Sequence, residues 1–269
     1  MNLPKRKIND FIKRVNSLVR FGLSDFDSLS SIIHEVETLP ASNAYEAREK
    51  FEVLCALSSF YGDREEVQRY IKKVQQYPYN EKAQATCMLS LMRLGSFQSA
   101  GGICNNLSEY SDIEIADDAA RIALYTGQLD LFFSRYQSLS RMQKTDDLLE
   151  YYRGALNIYN FLQQRDVSED TFKSYISTAA ETVGLNVRYI AQTGVRFINN
   201  ELGLSYIFYV VDAHLSLFQL DLIIIDALLN KYGVTFSEII TFSVERFNPS
   251  SNHLNMTSIR GLSFIYRYS

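Results

Sequence analysis

Leu94-Gly95-Ser96-Phe97-Gln98-Ser99-Ala100 closes one apolar-periodic run and opens another. A glycine at the end of such a run supplies the left-handed residue that stops a helix. Gly62 and Gly127 stand in the same relation to their own flanks, 33 residues before Gly95 and 32 residues after it. A period in that range marks stacked helical hairpins, each too small to bury its apolar face alone. Such arrays usually present a surface to a partner.

Working outward, the first 183 residues read as helix after helix. Ile8, Phe11, Ile12, Val15, Leu18 and Val19 follow helical spacing up to Gly22. Ser24 caps a second run with Phe26, Leu29, Ile33 and Val36 as its stripe, and Pro40 stops it. Ser42 opens a third that ends at Gly62, and helices follow over 64–76, 81–94, 97–108, 112–126 and 128–140. Two more are expected over 145–163 and, capped by Ser168, up to Val183. Ten helices make five antiparallel hairpins.

After Gly184 the texture changes. Arg188–Ala191 and Val195–Ile198 flank Gln192-Thr193-Gly194, which predicts a β-hairpin. Tyr206–Val211 is a further strand, and 212–231 a mostly buried helix. Residues 240–245 and 262–268 alternate apolar with polar, as half-buried antiparallel strands do. Asn248–Asn252 is the loop between them. The fold class is therefore mainly α: a helical-hairpin array over 1–184, then a small α+β module with an antiparallel sheet over 185–269.

The repeating segment resembles the tetratricopeptide repeat family. Before each turn glycine the first helix carries Phe51, Leu54, Cys55 and Ser58, then Gln84, Cys87, Met88 and Leu91, then Ala116, Ala119, Ala120 and Ala123. After it come Val67, Ile71 and Val74, then Ala100, Cys104 and Leu107, then Phe132, Tyr136 and Leu139. The likeness covers about 49–140. The early aromatic survives only as Phe51, and the closing proline is missing from all three copies. The resemblance implies a groove lined by exposed positions of each first helix. Carried over, the partner-binding candidates are Glu52, Phe60, Met92, Arg93, Asp117, Arg121 and Tyr125. Mixed charges beside aromatics suit a protein or peptide ligand.

Net charge is −4 and the pI about 5.5, so no global field draws the chain to nucleic acid. Residues 1–20 are an exception, with six basic side chains against Asp10, and read as the solvated face of a capping helix. Cys55, Cys87 and Cys104 have no metal spacing and suggest free thiols in a reducing, cytoplasmic setting. The apolar stretch 204–229 is interrupted by Asp212, His214, Gln219, Asp221 and Asp226, which argues against a membrane span.

No phosphate-binding loop, dinucleotide fingerprint, zinc-protease motif or nucleophile elbow occurs. Asp212 and His214 could bind a metal or share acid–base roles, but the simpler expectation is that Asp212 caps the next helix. Arg188, Arg196, Arg246, Arg260 and Arg267, with Tyr189, Phe197, Tyr266 and Tyr268 near, could form a base-stacking sheet. Yet 185–269 holds six basic and six acidic residues, which weakens that reading. The function expected is a non-enzymatic scaffold or adaptor that binds a protein or peptide partner. No catalytic residue, metal or cofactor is assigned, and homo-oligomers stay open. The alternative is a sensor or effector whose C-terminal module acts on nucleic acid or a small ligand under control of the array.

Overall fold

In the computed structural model, residues 11, 14, 26–107, 112–141, 149–198 and 203–248 are described, the side chains of 196–198 and 235 excepted. The expected first helix, the loop after 248 and the strand over 262–268 lie wholly or mostly outside these residues. Ten helices are described: α1 (Phe26–Thr38), α2 (Ala44–Tyr61), α3 (Arg64–Val74), α4 (Glu81–Arg93), α5 (Phe97–Asn106), α6 (Ile113–Tyr125), α7 (Leu129–Arg141), α8 (Leu149–Gln164), α9 (Glu169–Gly184) and α10 (Leu217–Tyr232). Three strands accompany them: β1 (Val187–Ile198), β2 (Gly203–Ala213) and β3 (Ile240–Arg246).

The helix starts are set by short polar side chains. Asn43, Asp63, Asn80, Asp112 and Ser168 each accept a backbone N–H from the first turn of the helix that follows. Gly62, Gly95 and Gly127 close α2, α4 and α6 with φ of 85°, 74° and 78°. Helices α2 and α3, α4 and α5, and α6 and α7 pack as neighbouring pairs, and α2, α4 and α6 pack side by side. That arrangement is compatible with a helical-repeat array. One apolar core runs from Leu29 in α1 through the pairs to Val244 in β3.

Rather than stacking on α8 as a fifth hairpin, α9 crosses the array and packs on α5, α10 and β1. Its path explains the turn glycines. A Cβ on Gly127 would lie 3.1 Å from Ile176 Cδ1 and from Lys173 Cα. One on Gly95 would collide with the Ala180 carbonyl oxygen and lie 3.1 Å from Gly184 Cα. One on Gly62 would lie 2.6 Å from the Arg188 carbonyl oxygen. So one continuous stretch, 172–188, passes the three turns in reverse order, about eight residues apart. Between Lys173 and Ala180, both in α9, seven helical residues rise roughly 10 Å, comparable to the spacing of packed helices. Ala179, Ala180 and Gly184 keep that face of α9 small, and all three are buried.

The sheet is mixed, in the order β1-β2-β3. The hairpin expected inside 188–198 is instead one long strand, β1, whose antiparallel partner is β2. Gly194 lies within the ladder opposite Ile207, and the register shifts between Ile190 and Gln192. The antiparallel expectation holds for β1 and β2, whereas β3 runs parallel to β2. The cause is connectivity: α10 carries the chain from the end of β2 back to the start of β3, and such a crossover gives a parallel pair. Tyr206, Phe208 and Phe242 cluster on the buried face, and Phe208 meets Phe97 of α5 at 6.1 Å between ring centroids.

Leu107, just past α5, is buried at 3% exposure. Leu107→Ala is expected to cost about 2–5 kcal/mol in urea unfolding, as for other buried leucines. A change within about 0.5 kcal/mol would put it on the surface and upset the register of the second helices.

Candidate functional site

The row formed by α2, α4 and α6 has two unlike halves, divided by β1. Their C-terminal ends carry most of the groove positions expected from sequence, and β1 packs against all three helices. Phe60 is fully buried and meets Tyr189 of β1 edge to face at 5.5 Å. Arg93, 3% exposed, lies over the Phe60 ring at 4.0 Å and donates to Ser59 Oγ at 3.2 Å. Met92 and Tyr125 are buried, and the Tyr125 carbonyl accepts from the Tyr206 hydroxyl of β2 at 2.7 Å. Arg121 is 8% exposed, donates to Asp117 Oδ2 and to the Tyr151 hydroxyl at 2.8 Å each, and stacks on the Tyr151 ring. Glu52 is buried and paired with Arg48. Of the seven expected residues, only Asp117 is half-exposed. A partner reaching the other six would have to displace what covers them.

The N-terminal ends of the same helices remain accessible. Tyr45, Lys82, Glu114 and Asp117 are exposed or half-exposed there, with Arg48 between Tyr45 and Glu52. Arg48 lies over the Tyr45 ring at 5.0 Å. The Tyr45 hydroxyl is pushed up to about 12, first by its hydrogen bond to Glu49 and then by burial. Glu49 Oε1 is buried with no hydrogen-bond partner. Leaving that one oxygen unsatisfied is a cost to the fold, and its burial keeps it out of a partner's direct reach. Helical spacing alone puts Glu49 on the same helix as Glu52 but gives no sign of its unpartnered oxygen, which depends on three-dimensional packing.

The features held for the alternative function are placed differently. Asp212 ends β2 with φ of 51° and binds Arg188 Nε at 2.8 Å, so it does not cap α10. Ser216 does so, in a reciprocal capping box with Gln219. His214 is exposed, and its backbone N–H donates to the Asn186 carbonyl. Arg188 is sandwiched against Phe26, at 3.7 Å, and donates to the Tyr61 carbonyl, tying β1 to the first two helices. Tyr189 is buried under Phe60. Arg260, Arg267, Tyr266 and Tyr268 lie outside the described residues. Among the described residues no group of three or more histidines, cysteines or acids is placed to hold a metal.

A cleft of about 270 Å³ lies between α5, α9 and α10, lined by Ser96, Ser99, Lys173, Ser174, Thr178 and Lys231 among others. Both lysines are engaged, Lys173 with Asp170 at 2.6 Å and Lys231 with Thr178 Oγ1 at 3.0 Å. The three cysteines are free and buried. Burial pushes the Cys104 thiol up to about 11, and the hydrogen-bond contact with Cys55, then burial, holds the Cys87 thiol well above the ordinary range, which leaves little thiolate at neutral pH.

No family model matches this chain, and neither a curated protein nor a solved structure matches it. No described helix is long and apolar enough to cross a membrane.

Proposed function

We propose that this chain is a non-enzymatic scaffold that binds a protein or peptide along its row of first helices, in the manner of tetratricopeptide arrays. The observation that carries the reading is the accessible N-terminal half of that row, where Tyr45 of α2, Lys82 of α4, and Glu114 and Asp117 of α6 stand exposed or half-exposed on three successive helices. Three rigid helices hold these groups in fixed relation, so little ordering is needed on binding. Aromatic and charged side chains together are the usual anchors of such surfaces. The C-terminal sheet serves here as a buttress for the other half of the row. Residues 1–184 act as the binding unit and 185–269 as its support.

The test is Tyr45→Ala combined with Lys82→Glu and Glu114→Lys. All three positions are exposed or half-exposed, and the Lys82–Asp112 pair at 3.6 Å contributes little to stability. A partner recovered from the native host with the wild-type chain is expected to lose at least tenfold in affinity for the triple variant, while the circular dichroism melt stays within a few degrees. Unchanged affinity would remove this face from consideration.

A further inference from the structure

Helix α10 is apolar on two faces. Leu220, Ile224 and Leu228 are buried, on the side toward α9 and β3. Phe218, Leu222, Ile225 and Leu229 are exposed, at 71%, 44%, 40% and 38%. Their spacing is i, i+4, i+7 and i+11, so they form one continuous stripe. Single exposed apolar residues are ordinary, but a stripe along a whole helix is not.

The charges around the stripe say what fits it. At 100° per residue Asp221 and Asp226 fall on its two sides. Asp226 is exposed, and Asp221 is half-buried, with one oxygen accepting the Val244 N–H at 2.8 Å. The one cation of α10, Lys231, is turned away and bound to Thr178 on α9. A second copy packed antiparallel on the same stripe would bring Asp221 beside its own counterpart on one flank and Asp226 beside its own on the other, and like charges oppose that pairing. An acidic lipid surface is disfavoured for the same reason.

We propose that the exposed face of α10 docks an amphipathic helix of a partner protein whose apolar stripe is flanked by lysine or arginine. The apolar side chains supply the attraction, and the two aspartates select basic flanks over acidic ones. This surface is separate from the row of first helices, so the chain would hold two partners at once.

The probe is a fluorescein-labelled synthetic helix of 18 residues, with leucines spaced to match the stripe and lysines on both flanks. Its twin carries glutamates in place of the lysines. Titrated with the whole 269-residue chain and read by anisotropy, the lysine helix is expected to bind at least tenfold more tightly than its twin. That preference should shrink in 0.5 M NaCl, because exposed charges are screened. Leu222→Asp with Ile225→Asp should weaken the lysine helix at least tenfold with an unchanged circular dichroism spectrum. Asp226→Lys, at an exposed position outside the core, should reduce the preference at least threefold. Equal affinity for the two helices, no binding of either, or binding indifferent to these substitutions would overturn the proposal. So would a molecular mass that doubles with concentration in the wild type but not in the Leu222→Asp, Ile225→Asp variant, since the occupant would then be a second copy.

Discussion

Gly95→Ala should be among the most damaging single-methyl changes in this protein. Two costs add at one position. The residue holds φ of 74°, a conformation that an alanine adopts only at a penalty of about 1–2 kcal/mol. The new methyl would also drive into the Ala180 carbonyl, 2.9 Å from its carbon, and backbone on a packed helix cannot swing aside. Overpacking of that kind costs about 1–3 kcal/mol. The expected loss is about 2–5 kcal/mol, a large share of the 5–15 kcal/mol that holds a typical domain together. Gly102→Ala, seven residues on, is the control. A Cβ there meets nothing within 4 Å, and the residue is inside α5, so alanine should stabilise by up to about 1 kcal/mol. Differential scanning calorimetry on the pair should therefore show shifts of opposite sign. A Gly95→Ala melt within a degree of wild type would mean that α9 does not seat on the turn.

Arg93→Glu together with Arg121→Glu is expected to unfold the chain. Both guanidinium groups are buried, stacked on aromatic rings and hydrogen-bonded. Reversing either sign replaces a satisfied cation with a carboxylate facing the same ring, and losing one partner of a buried charged contact costs about 3–5 kcal/mol. The Arg121 change also sets two carboxylates beside each other at Asp117. Circular dichroism at 25 °C should show lost helix, or a urea midpoint too low to measure. From sequence alone the same pair reads as a clean probe of partner binding. A double variant that keeps its spectrum and its midpoint would show these arginines to be surface residues after all.

The difference between those two readings marks where the sequence runs out. Helix positions were legible because their causes are local: apolar residues at 3.6-residue spacing, short polar caps, and glycines at 33- and 32-residue separation. The order strand, helix, strand over 206–244 is the order of a parallel crossover, whereas the alternation in 240–245 reads equally as an antiparallel edge. Gly194 reads as a turn because an interior glycine weakens a strand, yet here it stays in the ladder beside the Tyr209 ring. The burial of Phe60 and Arg93 had no local sign. Phe60 is covered by Tyr189 and Arg93 lies on the Phe60 ring, and nothing in 51–93 announces a partner so far along the chain. The α10 stripe was legible as apolar residues but not as an exposed face, because which side of the helix meets β3 is a tertiary fact.

The passage of 172–188 across three successive turns has a mechanical consequence. Helical-repeat arrays are usually compliant, because each unit touches only its neighbours and small rotations accumulate along the stack. Here a single segment touches the first, second and third turns together, with backbone meeting backbone at Gly95 and at Gly62. Any change in pitch would shear these seats at once. The row of first helices therefore behaves as a braced plate rather than a spring. Under tension it should hold its length until α9 peels away, and then extend abruptly.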